Sequence, residues 1–417
     1  MATAEFLSNL RERAVKGLTE TLDFFIEYAK DPDGGFYGAV GRDLIPVKPA
    51  IRSVVLNARL VWAFASAYRV LGEHKYLDAA LHAFRYLKEC FIDPEYGGAY
   101  WRVNADGTPI DERKVIYGQA FIIYSGAELY RACALCGDPE IMKLGCEARQ
   151  MAIDVFGLCE EYALDKPNGG YFETFDRKWN RMTDSFNIPD PSIASKALNT
   201  HLHVIEAYTN LMRVWDDLGL RMKVGSLIDI MSYKLLDRET FHYKPYMTDD
   251  WQTAKKQVSF GHDIEAAWLL VEAAREFGDK TVIEDSKPTA VRIAASCREE
   301  GVDPGTGGMW SEYEAVTDEY DKKMIWWVQA EAVVGFFNAY ELTGEQEYLD
   351  YTLGVWDYID RSVIDREGGV FREWLTDASQ PADNSVNRYT VNEWKTPYHN
   401  GRMYMELIER IDKMLEG

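Results

Sequence analysis

Six short stretches place polar and aromatic groups where the surrounding pattern is apolar. They are Asn57-Ala58-Arg59, Tyr117-Gly118-Gln119, Asn199-Thr200-His201-Leu202-His203, Gly261-His262-Asp263-Ile264-Glu265, Trp326-Trp327-Val328-Gln329-Ala330-Glu331 and Trp394-Lys395-Thr396-Pro397-Tyr398-His399-Asn400-Gly401-Arg402. His203, His262 and His399 lie in three of them, whereas His74, His82, His201 and His242 fall in linkers, on other segments or off the shared face. Asn199 and His203 are four apart, and the pairs His262/Glu265 and His399/Arg402 three apart, so each pair shares one face of a helix. An imidazole of ordinary pKa, about 6.5, takes and returns protons near neutrality. Two of them on opposite sides of a carbon next to a carbonyl can remove its proton from one face and deliver it to the other, with Arg59 stabilising the enediolate between. That chemistry is epimerisation or aldose–ketose isomerisation of a reducing sugar, and it requires no cofactor.

Other chemistries have weaker support. An inverting glycosidase needs two carboxylates flanking the scissile bond, for which Asp190, Asp263, Glu265 and Glu331 are candidates. A non-catalytic sugar-binding protein would use the same aromatic rings as stacking platforms. No H-E-x-x-H, zinc-spaced cysteine set, phosphate loop or dinucleotide fingerprint is present, so no metal and no nucleotide is expected. The 46 basic and 68 acidic residues give a net charge of −22, which argues against nucleic acid and anionic membrane as partners. The expected partner is a small sugar, bound by a monomer or homodimer. The N-terminus lacks the apolar stretch of a signal peptide, and no apolar run approaches the ~18 residues of a membrane span. The six cysteines form no disulfide framework; Cys133 and Cys136 are expected to be packing thiols, and the cytoplasm is the expected compartment.

These groups need elements to position them, and internal repetition supplies the plan. A Gly-Gly signal recurs as Gly34-Gly35-Phe36, Gly97-Gly98-Ala99-Tyr100, Gly169-Gly170-Tyr171, Gly307-Gly308-Met309-Trp310 and Gly368-Gly369-Val370-Phe371, with one copy missing near position 238, where a turn-containing stretch over 242–251 should replace it. Six units result. Apolar residues at three- and four-residue spacing predict two helices per unit: 5–28, 57–71, 75–91, 117–135, 139–156, 192–218, 221–236, 262–277, 281–297, 324–342, 346–363 and 396–415. Six helix pairs can form an open solenoid or a closed double ring. A solenoid uses polar caps at both ends, and neither end unit looks atypical. The expectation is an all-α (α/α)6 barrel, one domain over 1–417, with short hairpins or loops at one mouth. The six polar stretches open the even-numbered helices, so they converge at one mouth of the inner ring.

At this point the sequence resembles the N-acylglucosamine 2-epimerase superfamily, and within it the cellobiose 2-epimerases. The resemblance spans nearly the whole chain and rests on four ordered motifs: 199–208, 260–266, 326–332 and 395–402. It implies an (α/α)6 barrel that inverts C2 of the reducing-end sugar of a β-1,4-linked disaccharide. By analogy His262 and His399 exchange the C2 proton, and His203 assists ring opening. Arg59, Tyr117, Asn199 and Glu265 hold the open-chain sugar and the enediolate. One of Trp326 and Trp327 packs on the reacting sugar, and Trp394, with Trp310, stacks on the second ring. A mannose 2-epimerase or aldose–ketose isomerase acting on free monosaccharides is the alternative, since such enzymes share most of these motifs.

Overall fold

The structure, a computed structural model, describes residues 2–185 and 188–416. Twelve long helices are present among them: α1 (Ala4–Phe24), α2 (Val54–Leu71), α3 (His74–Tyr86), α4 (Ile116–Cys136), α5 (Pro139–Leu158), α6 (Leu198–Met212), α7 (Leu218–Asp229), α8 (Phe260–Phe277), α9 (Lys280–Ser296), α10 (Trp326–Thr343), α11 (Gln346–Tyr358) and α12 (His399–Glu416). Helices such as α2, α4 and α10 are apolar nearly all round, and are buried along most of their length. Helices α3, α5 and α9 bury one stripe and expose the other face. A helix without a polar face must be inside, so the even helices form the inner ring and the odd ones wrap it. Each inner helix packs on the next, and α12 packs on both α10 and α2. Strand Val40–Gly41 pairs antiparallel with Tyr389–Val391, joining the first loop to the last. Arg11 Nη2 donates to Asp412 at 2.9 Å across the same seam. The ring is therefore closed, an (α/α)6 barrel.

Local sequence explains the joints. Inner helices α2, α4, α8 and α10 end on Gly72, Gly137, Gly278 and Gly344, all at φ between 72° and 76°, where only glycine is unstrained. Asp138, Asp217 and Asp279 then cap α5, α7 and α9 with their carboxylates. Every outer helix ends in a π turn, such as Leu87–Phe91 or Cys297–Gly301, whose first and last residues are both buried. The wider turn brings residues four or five apart onto one inward face, a feature the 3.6-residue pattern did not reveal. Helix α6 is shorter than the predicted 192–218. Lys196-Ala197 pairs with Tyr246-Met247 as strand, and the chain turns again after Met212. All six cysteines are free thiols. Helix α2 is long and apolar enough to cross a membrane, but 83% of that span is buried within the ring.

The missing glycine pair lies at 241–242, within 237–243 rather than 242–251. In the second, third and fifth units an Asp N–H donates to the second glycine's carbonyl, and the first glycine's N–H returns to the Asp. In the fourth unit Asp237 N donates to His242 O and Phe241 N to Asp237 O, at 2.9 and 2.8 Å. Phe241 takes the left-handed conformation at φ 59°, under Arg292 at 4.3 Å. The inner helices grip these loops through one side chain each. Gln119 and Gln329 bond the backbones of Ala99 and Met309 twice each, and His201 Nε2 accepts from Tyr171 N at 2.9 Å. Where Phe-His replaces Gly-Gly, Asp263 replaces glutamine. It accepts from Tyr243 N at 2.8 Å and from His242 Nδ1 at 2.7 Å. His201 and His242 are thus structural. A Cβ at Gly170 would lie 2.6 Å from both His201 Nε2 and the Trp251 ring, at φ +77°. Gly170→Ala is expected to cost about 1–3 kcal/mol, seen as a lower thermal midpoint; an unchanged midpoint would contradict this close approach.

At the end of the barrel formed by the C-terminal halves of the inner helices, partly buried ion pairs staple neighbours together. Arg69 binds Glu128 and Glu409 at 2.7 and 2.6 Å, and Arg213 binds Glu272 at 2.6 Å. The opposite end, where the loops converge, is open.

Candidate active site

A cavity of about 230 Å³ sits at that open mouth. It is lined by Arg59 from α2, Tyr117 from α4, Asn199 and His203 from α6, His262 and Glu265 from α8, Trp326 and Trp327 from α10, Trp394, and His399 from α12. Each inner helix contributes from its first two turns. Ten of the eleven residues singled out from the sequence therefore meet. The eleventh, Trp310, does not line the cavity. It lies in the loop before α10, its ring 5.0 Å from Tyr320 and under Lys322 Nζ at 4.8 Å.

Each cavity histidine is held by its Nδ1, which leaves Nε2 for the cavity. His399 Nδ1 bonds Glu331 Oε1 at 2.7 Å, His203 Nδ1 bonds Glu206 Oε2 at 2.9 Å, and His262 Nδ1 bonds Ser259 Oγ at 2.8 Å. Glu331 also accepts from Arg402 Nη2 and from Trp268 Nε1, both obligate donors. As a carboxylate held ionised by Arg402, Glu331 accepts from His399 too, which places a proton on Nδ1 and leaves a lone pair on Nε2. Glu206, accepting from Tyr398 and Arg402, fixes His203 in the same sense. Ser259 can either donate or accept, so His262 alone can adopt either tautomer.

Burial sets the protonation states. It pushes His262 down to about 3, and holds His399 well below the usual range with help from the Arg59 and Arg402 cations. Both rings are neutral at pH 7 and available as bases. Burial pulls Glu206 upward, but Arg402 and His203 outweigh it and bring the carboxyl to about 2. Arg402, fully buried, is the hub: it binds Glu206, Glu265 and Glu331 from three different helices. Glu265, Glu331 and His399 offer ligand atoms within 4.8 Å of one another, a spacing a metal could use. The Arg402 guanidinium already donates to both carboxylates, so a cation occupies that role.

Arg59 donates to Tyr117 Oη at 2.8 Å and to the Trp394 carbonyl at 3.3 Å; among the described residues it pairs with no carboxylate. Its charge is thus available to an anion in the cavity. The Trp327 ring bridges the two neutral histidines, with centroids 4.9 Å from His262 and 5.4 Å from His399. Trp326 is more buried and touches only His399 of the two, at 5.5 Å. Of these partners, the sequence pointed to Glu331 only as a candidate glycosidase carboxylate and to Glu206 only within the 199–208 motif, and it did not single out Ser259 or Trp268. The i, i+3 spacing of Glu206 from His203 was the available signal; Glu331 and Trp268 reach the site across helices and left none.

Fold and site together define an (α/α)6 barrel with paired neutral imidazoles and, among the described residues, a guanidinium without a carboxylate partner around one cavity. The sequence model of the N-acylglucosamine 2-epimerase (GlcNAc 2-epimerase) family matches residues 35–399, and the chain belongs to that family. It is 39% identical over 403 residues to a cellobiose 2-epimerase of Bacteroides fragilis, covering 96% of this chain and 98% of that one. Among solved structures, cellobiose 2-epimerase from Bacillus thermoamylovorans superposes with a TM-score of 0.86 at 35% identity, covering 98% and 100% of the two chains. A D-mannose isomerase shares the fold, with a TM-score of 0.80 at 21% identity over 96% and 98%.

Proposed function

We propose that this protein inverts C2 of the reducing-end sugar of a β-1,4-linked disaccharide, converting cellobiose to glucosyl-mannose without a cofactor. The observation that carries the reading is the meeting of two neutral, separately anchored imidazoles at one cavity beside a guanidinium that has no carboxylate of its own. The 39% identity to a cellobiose 2-epimerase over nearly the full chain supports the substrate class. In this reading His203 assists opening of the sugar ring. His399, with its Nε2 lone pair fixed by Glu331, removes the C2 proton from one face. The negative charge that develops on the enediolate oxygens is met by Arg59 and by hydrogen bonds from Tyr117 and Asn199. His262 returns a proton from Nε2 to the opposite face while Ser259 donates to its Nδ1, and the proton held by His399 passes to solvent, from which His262 recovers its own. Trp327 packs on the reacting sugar, and Trp394 on the second ring. The chain acts as one barrel domain, in the cytoplasm, on a small sugar.

Incubation with cellobiose, glucose, mannose and N-acetylglucosamine in heavy water, followed by proton NMR, tests this. The expected result is deuterium at C2 of the reducing sugar of an intact, epimerised disaccharide. Release of free monosaccharide would instead identify a glycosidase, and conversion of mannose alone a monosaccharide enzyme.

A further inference from the structure

Three buried carboxylates surround one guanidinium, and they are not equally supplied with donors. Glu206 receives His203 Nδ1, the Tyr398 hydroxyl and Arg402. Glu331 receives His399 Nδ1, Trp268 Nε1 and Arg402. Glu265 receives Arg402 alone, on Oε1. Its Oε2 is buried with no hydrogen-bond partner among the described residues, although the side chain lines the cavity. A buried carboxylate with a bare oxygen is costly, and so are three anions answered by one cation. The cheapest remedy is one proton, and it belongs on the carboxyl with the fewest donors.

We infer that Glu265 enters the reaction as a neutral carboxylic acid, whose O–H donates to the sugar oxygen that becomes negative when the C2 proton leaves. The inference rests on the proposed epimerase reading for the identity of that oxygen, but not for the protonation itself. The proton stays on Glu265 throughout; it acts as a donor and not as a transferred group. A carboxyl kept neutral in this way stabilises an oxyanion without adding a charge that would repel it. Electrostatics agree. Burial and the neighbouring Glu331 raise Glu265 to about 7, with Arg402 and His203 opposing and Glu206 reinforcing. On the α4 side, burial pushes the Tyr117 phenol up, so it stays neutral in this range. The α12 imidazole, His399, is neutral as well.

The test compares Glu265→Gln with Glu265→Ala. Glutamine keeps a neutral group with an N–H donor and loses the ionisable proton. It is expected to retain kcat within about tenfold, whereas alanine loses about 10²–10³-fold, the usual effect of deleting one oxyanion donor. The wild type loses kcat/KM as pH rises through about 7, because the acid ionises; the glutamine variant is expected to lose that alkaline limb. Glutamine as damaging as alanine in a folded protein, or an unchanged alkaline limb, overturns the inference. Infrared difference spectra on adding cellobiitol, which has no carbonyl to react, read the protonation state directly, whether or not C2 exchange occurs. A protonated-carboxyl band that shifts in the wild type and is missing from the glutamine variant supports the inference. A response from ionised carboxylates alone sinks it.

Discussion

His399→Ala is expected to lower kcat for C2 inversion by about 10²–10⁴-fold, with a far smaller change in KM, and His262→Ala by a similar factor. The size follows from what each ring does: both are neutral bases at pH 7, each anchored by Nδ1. Loss of kcat with KM spared is the signature of a group that acts in the transition state. Packing changes are contained, because the Trp327 ring touches both imidazoles and can still cover the sugar when one is removed. Deuterium uptake at C2, measured separately from the gluco and manno epimers, separates the two rings. Each variant should lose net inversion, since one face of the carbon no longer has a proton carrier. Full inversion by either variant would show that its histidine is not one of the two carriers.

The second large effect is on stability. Arg402→Ala removes the cation shared by three fully buried carboxyl groups, and breaking a buried pair from one side costs about 3–5 kcal/mol. The pH dependence should steepen with the substitution, since in the wild type Glu265, raised to about 7, already favours the acid side while Glu206 favours the alkaline side only at lower pH. In the wild type, Glu206 is depressed to about 2 from an ordinary value near 4.5, so its contribution is present above about 4.5 and lost as pH falls toward 2. In the variant the same carboxylates face one another in a dry site with no guanidinium, and their pKa values rise above the unfolded ones. Protonation then stabilises the fold more strongly, so the variant should gain more thermal stability than the wild type when pH drops from about 7.5 to 5.5. A variant that loses stability equally at both pH values would show that the hub's charge is not what Arg402 contributes.

Much of this arrangement was legible beforehand, and particular residues show why. The inner helices declare themselves because polar groups such as Arg59 and Glu265 interrupt apolar faces at helical spacing, and periodicity is a local property of the chain. The repeat was readable because each unit solves the same problem, a sharp turn after an outer helix, with glycine. It was misplaced by a few residues in the fourth unit, where Phe241 adopts the left-handed conformation without a glycine and His242 is tied to Asp263. Trp310 was expected, from the family resemblance, to stack on the second sugar ring. The hairpin that follows carries Tyr320 and Lys322 onto its ring, and no local pattern encodes that contact.

By itself the sequence determined the helix count, the inner and outer roles, and which inner-helix side chains face the mouth, since each depends on residues within a turn or two of one another. Only the tertiary structure decided which ring nitrogen meets the sugar and which carboxyl holds a proton. Those depend on partners supplied by other helices, as with Glu331 for His399 at 68 residues' separation and Glu206 for Arg402 at 196. A hydrogen bond or an electric field acts through space, and folding alone sets those distances.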